Sequence, residues 1–248
     1  MVKRFYKKGR KTTKKKVSSN ANFSKRVLSV INKQRELKVS KPVSQITEVN
    51  AEITTPDLIP IMPDIPQGDG EMNREGNEIT LKKIVINAYY KQTFPILVNN
   101  DSRAMVRHMV LKQRGSNADD VINLAGTFDQ NNLLENSGGY LGSIQDFNTP
   151  INKAGFVLRK QMKRVMSASV ASVSEQSGGD LDSSYFMVTY TLTFGKGKKL
   201  RYKTGGASQP QAFPYFIAHS AAPLGSNTPL TQGAVQYTST TTAYFYDS

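Results

Sequence analysis

Beyond residue 42 the sequence is broken into short runs rich in Val, Ile, Thr, Tyr and Phe, each closed by a cluster of Gly, Asn, Asp or Pro. β-Branched and aromatic side chains crowd the preceding turn of a helix but pack well on a pleated surface, so the runs predict strands. They cover 79–92, 103–114, 155–169, 184–194, 198–203, 214–221 and 235–247. An eighth run, 43–54, alternates Val43, Ile46, Val49, Ala51 and Ile53 imperfectly with polar residues and predicts a strand with one buried face. Between the runs at 43–54 and 79–92, Pro56, Pro60, Pro63 and Pro66 forbid helix and interior strand, and Gly68, Gly70 and Gly76 permit turns. That stretch is expected to be a long extended connection.

Gly-Lys-Gly-Lys at 195–198 predicts a tight hairpin between two strands. The start of 115–154 predicts a short helix capped by Asn117, and 135–152 predicts loop. In the run at 184–194, Phe186, Tyr190 and Phe194 are assigned to one face and Val188 and Leu192 to the other, which leads to the expectation of a strand covered on both sides. Eight strands joined by uneven loops, with no long helix in the body, predict an all-β fold: an eight-stranded antiparallel jelly-roll sandwich over 42–248. An immunoglobulin-type sandwich fits less well, because its turns are short whereas some connections here run to roughly 25–40 residues.

Charge divides the chain differently. Residues 1–41 hold fifteen Lys and Arg against the single acid Glu36, and the remainder holds eighteen of each sign, so the net charge of +14 resides in the arm. The first 22 residues have too few apolar side chains to offset the entropy of ordering and are expected to be disordered in isolation. In 24–38, Val27, Leu28 and Ile31 fall near one helical face among Lys and Arg, and a short basic helix is expected there. Val27–Ile31 is too short for the apolar region of a secretory leader, and no apolar run is long enough to span a membrane.

The composition excludes much chemistry. Without cysteine there are no disulfides, thiolate metal sites or thiol nucleophiles, and the two histidines, His108 and His219, cannot make an imidazole-rich metal centre. No nucleophile-elbow motif accompanies them, so both are expected to be hydrogen-bonded structural residues and no enzymatic activity is expected. Gly68, Gly70 and Gly76 lack the spacing of a phosphate-cradling loop, and Asp69, Glu71, Glu75 and Glu78 lack that of a calcium loop; a surface or subunit-interface turn is the expectation. Neither cofactor nor metal is expected.

A flexible arm of like charges attracts any polyanion by releasing its counterions, and it contacts phosphates without reading bases. The residues expected to bind nucleic acid are Lys3, Arg4, Lys7, Lys8, Arg10, Lys11, Lys14, Lys15, Lys16, Lys25 and Arg26. A second cluster, Arg159, Lys160, Lys163 and Arg164, lies in a strand whose alternation splits it between two faces, with phosphate contacts and interface ion pairs as its two uses. Phe5, Tyr6 and Phe23 could stack on unpaired bases.

A basic arm leading into eight strands, Gly68-x-Gly70 followed by Arg74-x-Gly76-Asn77, and Pro150-Ile151-Asn152 running into a basic and apolar strand together resemble the capsid proteins of small circular single-stranded DNA viruses of the circovirus-like group. The resemblance implies a jelly-roll subunit, self-assembly of about sixty copies into an icosahedral shell, packaging of the single-stranded DNA genome by the arm, and nuclear import through the same arm. Localisation in the virion, and in the host nucleus during assembly, follows from it. Sixty such arms would carry on the order of 840 positive charges, a substantial share of the phosphates of a genome of a few thousand nucleotides. The alternative is a non-assembling single-strand-binding protein with a basic tail, although a five-stranded barrel needs roughly half this length.

Overall fold

The strand-forming runs pair as a nested series. The computed structural model describes residues 23, 27, 36–50, 53, 57–92, 103–114, 132–135, 142–167, 184–224 and 235–247. Its elements are β1 (Lys38–Val39), β2 (Val43–Glu48), β3 (Ile59–Pro60), β4 (Glu78–Gln92), β5 (Arg103–Gln113), α1 (Ile144–Asn148), β6 (Phe156–Ser167), β7 (Tyr185–Arg201), β8 (Tyr215–Pro223) and β9 (Val235–Asp247). From β2 onward the first strand pairs with the last, the second with the last but one, and so inward: β2 with β9, β3 with β8, β4 with β7, β5 with β6, all antiparallel. The pairs β4–β9 and β5–β8 then join these into two sheets, ordered β2-β9-β4-β7 and β3-β8-β5-β6. A long four-fold hairpin rolled in this way is the eight-stranded jelly roll.

With β1 and β2 counted as one interrupted strand, the described residues hold eight strands, but two of the expected ones are fused and one lies where no strand is expected. The glycines of Gly-Lys-Gly-Lys do not turn the chain back. Both flanking runs pair with β4 in one direction, from Lys91↔Tyr185 to Glu78↔Arg201, with a register shift opposite Lys82. The glycines absorb a bulge within one strand, Gly195 at φ 55° and Gly197 at φ 108°. The missing eighth strand is β3, inside the proline-rich connection. Pro60 fits there because β3 is an edge strand, where a missing N–H breaks no interior ladder. At 43–54 the strand stops at Glu48, and Ile46 points outward at 67% exposure while Val43, Gln45 and Thr47 point in.

The main core lies between the sheets, with Ile84, Ile86, Ala88 and Tyr90 of β4 facing Val106 and Val110 of β5. Phe186, Val188, Tyr190, Leu192 and Phe194 all pack toward this core, since residues two apart share a face. Tyr185 and Met187 are exposed, so β7 is covered on one side only, contrary to expectation. A second core covers the other face of β5 and β8, where Met109, Leu111, Phe216 and Ala218 meet Leu133, Leu134, Phe147 and Ile151. With apolar cover on both faces, β8 is buried along its whole length.

Within the stretch expected to be loop, α1 forms because Ser143 and Asp146 make a capping box: the Ser143 hydroxyl accepts from the Asp146 N–H at 3.2 Å, and the Asp146 carboxylate accepts from the Ser143 N–H at 3.0 Å. The helix expected at Asn117 lies outside the described residues.

Two compact units divide the chain at Met1–Glu36 and Leu37–Ser248. Of the first, Phe23 and Val27 are helical and exposed; the other residues expected in the helix at 24–38 lie outside the described residues up to Glu36, and Lys38 is in β1. The boundary expected after residue 41 thus falls after residue 36. β1 and β2 both pair with β9 and are one strand interrupted at Pro42. Ser40 bridges the gap, its N–H donating to the Ala243 carbonyl and its hydroxyl accepting from the Ala243 N–H, both at 2.9 Å.

A Cβ on Gly197 would lie 2.4 Å from Thr80 Cγ2, whereas one on Gly195 meets nothing within 4 Å. Gly197→Ala is therefore expected to cost about 2–3 kcal/mol and Gly195→Ala about 1 kcal/mol, measured by urea denaturation; equal costs would contradict the bulge geometry.

Candidate nucleic-acid interface

The arm cations Lys3, Arg4, Lys7, Lys8, Arg10, Lys11, Lys14, Lys15, Lys16, Lys25 and Arg26 lie outside the described residues, as do Phe5 and Tyr6. Lys38, counted with the arm by charge, belongs to the body. It is 8% exposed and forms ion pairs with Glu75 at 2.8 Å and Asp247 at 2.7 Å. Hydrogen bonds to these carboxylates hold its ammonium well above the ordinary lysine range despite its burial.

The second basic cluster sits on β6, the edge strand of its sheet, and all four cations are exposed. Cross-strand pairing divides them. Lys160 and Arg164 share the face of Val110 and Val106, Lys163 shares that of Arg107, and Arg159 is the extra residue at a register shift. Lys163 donates to the Phe147 carbonyl, and desolvation followed by the charge of Arg107 lowers its pKa. Arg107 is buried beneath α1 and donates to the carbonyls of Asp146 at 2.7 Å and Thr149 at 3.2 Å. Lys163 and Arg107 therefore fasten α1 to the sheet. Among the described residues Arg159, Lys160 and Arg164 have no carboxylate partner.

Arg159 turns back toward the body, its guanidinium carbon 6.0 Å from the centre of the Tyr215 ring. Lys198, brought in by the β7 bulge, stands over the same ring at 5.1 Å. Lys112 is the cross-strand partner of Tyr215. No local signal in the sequence marks Lys112 and Lys198 as partners: Lys112 meets Tyr215 through the β5–β8 ladder, and Lys198 reaches it through the register shift in β7.

Arg74, of the Arg-x-Gly-Asn motif, is fully buried and has no carboxylate partner among the described residues. Its guanidinium donates to the carbonyls of Ile65 (3.2 Å), Thr204 (3.1 Å), Gly205 (3.0 Å), Ala207 (2.7 Å) and Gly76, and to Asn77 Oδ1 (3.3 Å). It also stacks 4.1 Å over Tyr202. The delocalised charge is stabilised by carbonyl dipoles and a π face, and the residue pins the 65–77 loop to the 202–207 loop. Of the nearby acids, Glu75 pairs with Lys38 and Glu78 with Arg201 at 2.7 Å. Among the described residues no group of three or more His, Asp or Glu is placed to hold a metal, and no helix is long and apolar enough to cross a membrane.

His108 and His219 are cross-strand partners at the centre of the sandwich, both fully buried. The Tyr90 hydroxyl lies 2.5 Å from His108 Nδ1, and the ring of Tyr237 lies 4.6 Å from that of His219. Burial, reinforced by the neighbouring imidazole, pushes His108 down to about 3. Burial takes His219 down to about 4, opposed by the charge of Asp57. Both rings are neutral core components. Compared with known families and characterised proteins, the chain matches no family model and no characterised sequence.

Arg74→Ala is expected to cost about 3–5 kcal/mol by leaving several carbonyls unpaired, with Arg74→Lys failing to restore the fork; full stability in urea for the Lys variant would contradict the hub. The imidazoles protonate near 6.5 when unfolded but only near 3–4 when folded. Their contribution is therefore complete above pH 6.5 and lost as pH falls toward 4, by up to about 1.4 kcal/mol per group per unit. His108→Gln should make the denaturation midpoint less steep between pH 7 and 5, and an unchanged slope would contradict the neutral pair.

Proposed function

We propose that the chain is a coat subunit of a small circular single-stranded DNA virus, in which jelly-roll bodies tile a closed shell and the arms hold the packaged genome. The observation that carries this reading is how unequally charge divides between the two units. The unit Met1–Glu36 contains thirteen Lys and Arg, while the jelly roll that begins at Leu37 is close to electrically balanced. A balanced body can approach its own copies without strong repulsion, and a concentrated cationic leader neutralises phosphates without needing a sequence. Apolar side chains on the body surface, among them Ile46, Val165, Tyr185 and Met187, are area that association would cover. Nuclear import through the arm, followed by incorporation into the virion, is part of the same proposal.

The test is removal of residues 1–36, which spares β1 and the Lys38 ion pairs. The truncated chain is expected to form particles by electron microscopy that lack nucleic acid. The full chain should bind single strands with a log–log salt slope as steep as about −9, from about 0.7 per neutralised phosphate. Truncated particles that package normally, or a salt-independent affinity, would refute the role of the arm. Tight single-strand binding by full-length monomers with no particles would favour the non-assembling alternative.

A further inference from the structure

The sandwich leaves a gap where β6, the edge of one sheet, passes β7, the edge of the other. A cleft of about 250 Å³ opens there, lined by Val157, Leu158, Arg159, Lys160, Thr191 and Thr193 among others. Arg159 leads from this cleft to Tyr215, over whose ring Lys198 also stands, and Lys112 pairs with Tyr215 from the adjacent strand. Lys112, Arg159, Lys160 and Lys198 thus gather with no carboxylate partner among the described residues.

Edge protection is the simplest account of cations on β6, because charged side chains keep a free strand edge from pairing with another chain. It does not account for the other two. Lys112 belongs to an interior strand, and Lys198 is half-buried over the aromatic rings of Phe213 and Tyr215. Desolvation, then the charge of Lys112, lowers the pKa of Lys198. Half-buried cations that repel one another are unfavourable unless an anion joins them. Phe213 and Tyr215 are buried, so the rings support the cations and leave no open face for a base. The threonines at the rim add hydroxyl donors suited to a phosphate oxygen.

We infer that this cleft binds a backbone phosphate of single-stranded nucleic acid through Lys112, Arg159, Lys160 and Lys198, as a fixed contact separate from the arm. The inference rests on the nucleic-acid role proposed above and assigns part of that role to the folded body. It divides the β6 cluster: Arg159 and Lys160 serve the ligand, and Lys163 holds α1.

Amine-selective labelling of the full chain, with and without oligothymidylate and read by peptide mass spectrometry, tests it. With oligonucleotide at about ten times its Kd, labelling of Lys198 should fall about tenfold by mass action, while exposed Lys203 keeps its rate. In the double variant Arg159→Gln, Lys160→Gln, whose changes are at exposed positions, protection of Lys198 should be lost and that of the arm lysines retained. Arm protection without any protection of Lys198 would overturn the cleft and leave the arm's role standing. No protection at any lysine would overturn both. A Lys198 already unreactive in nucleic-acid-free protein would mean that another copy covers the cleft, and would also overturn the inference.

Discussion

The bulge at Lys82 sets the geometry on which the sandwich depends. β4 is an interior strand of its sheet, paired along its length with β9 on one side and with β7 on the other, and both ladders shift register between Leu81 and Lys83. A one-residue shift exchanges the faces of a strand. Before it, Ile79 and Leu81 point into the core; after it, Ile84, Ile86, Ala88 and Tyr90 do. On β7 the same irregularity spans Phe194–Gly197, which requires Gly197 at a φ closed to other residues and carries Lys198 toward Tyr215. Core packing and the cationic cleft thus share one backbone device, and bulges commonly re-aim side chains in this way.

The buried polar groups follow a second rule, that charge enters the interior only with enough partners. Arg74 is met by carbonyls and an aromatic face, Arg107 by carbonyls at the end of α1, and Lys38 by two carboxylates. His108 and His219 enter as neutral rings among tyrosines. Lys198, half-buried over the rings of Phe213 and Tyr215, has no carboxylate partner among the described residues, and the proposed anion cleft rests on that departure.

Much of the fold could be read from residue types. The strand runs survive because β-branched and aromatic residues coincide with two-residue alternation, as in the odd-numbered inward residues of β9 from Val235 to Phe245. Gly-Lys-Gly-Lys misled because glycines that permit a mirror-image turn also permit a bulge, and only the partner strand distinguishes the two. β3 has no readable signal because a two-residue strand ending on a proline, Ile59–Pro60, carries no period. The helix α1 had a readable signal, the Ser143–Asp146 capping box, obscured by the glycines at 138, 139 and 142. For the candidate interface, Arg159 and Lys160 were visible as a basic run, but Lys112 and Lys198 join them only through pairing across distant strands, and the burial of Arg74 contradicts the usual placement of arginine at a surface.

The central claim is that a balanced jelly roll joins its own copies while the cationic leader handles phosphate. Native mass measurement of the full-length chain tests it most directly. With a subunit of 27.4 kDa, closed assembly of about sixty copies predicts one discrete species near 1.6 MDa, whereas a single species at the mass of one subunit, at every concentration and salt tried, would contradict it.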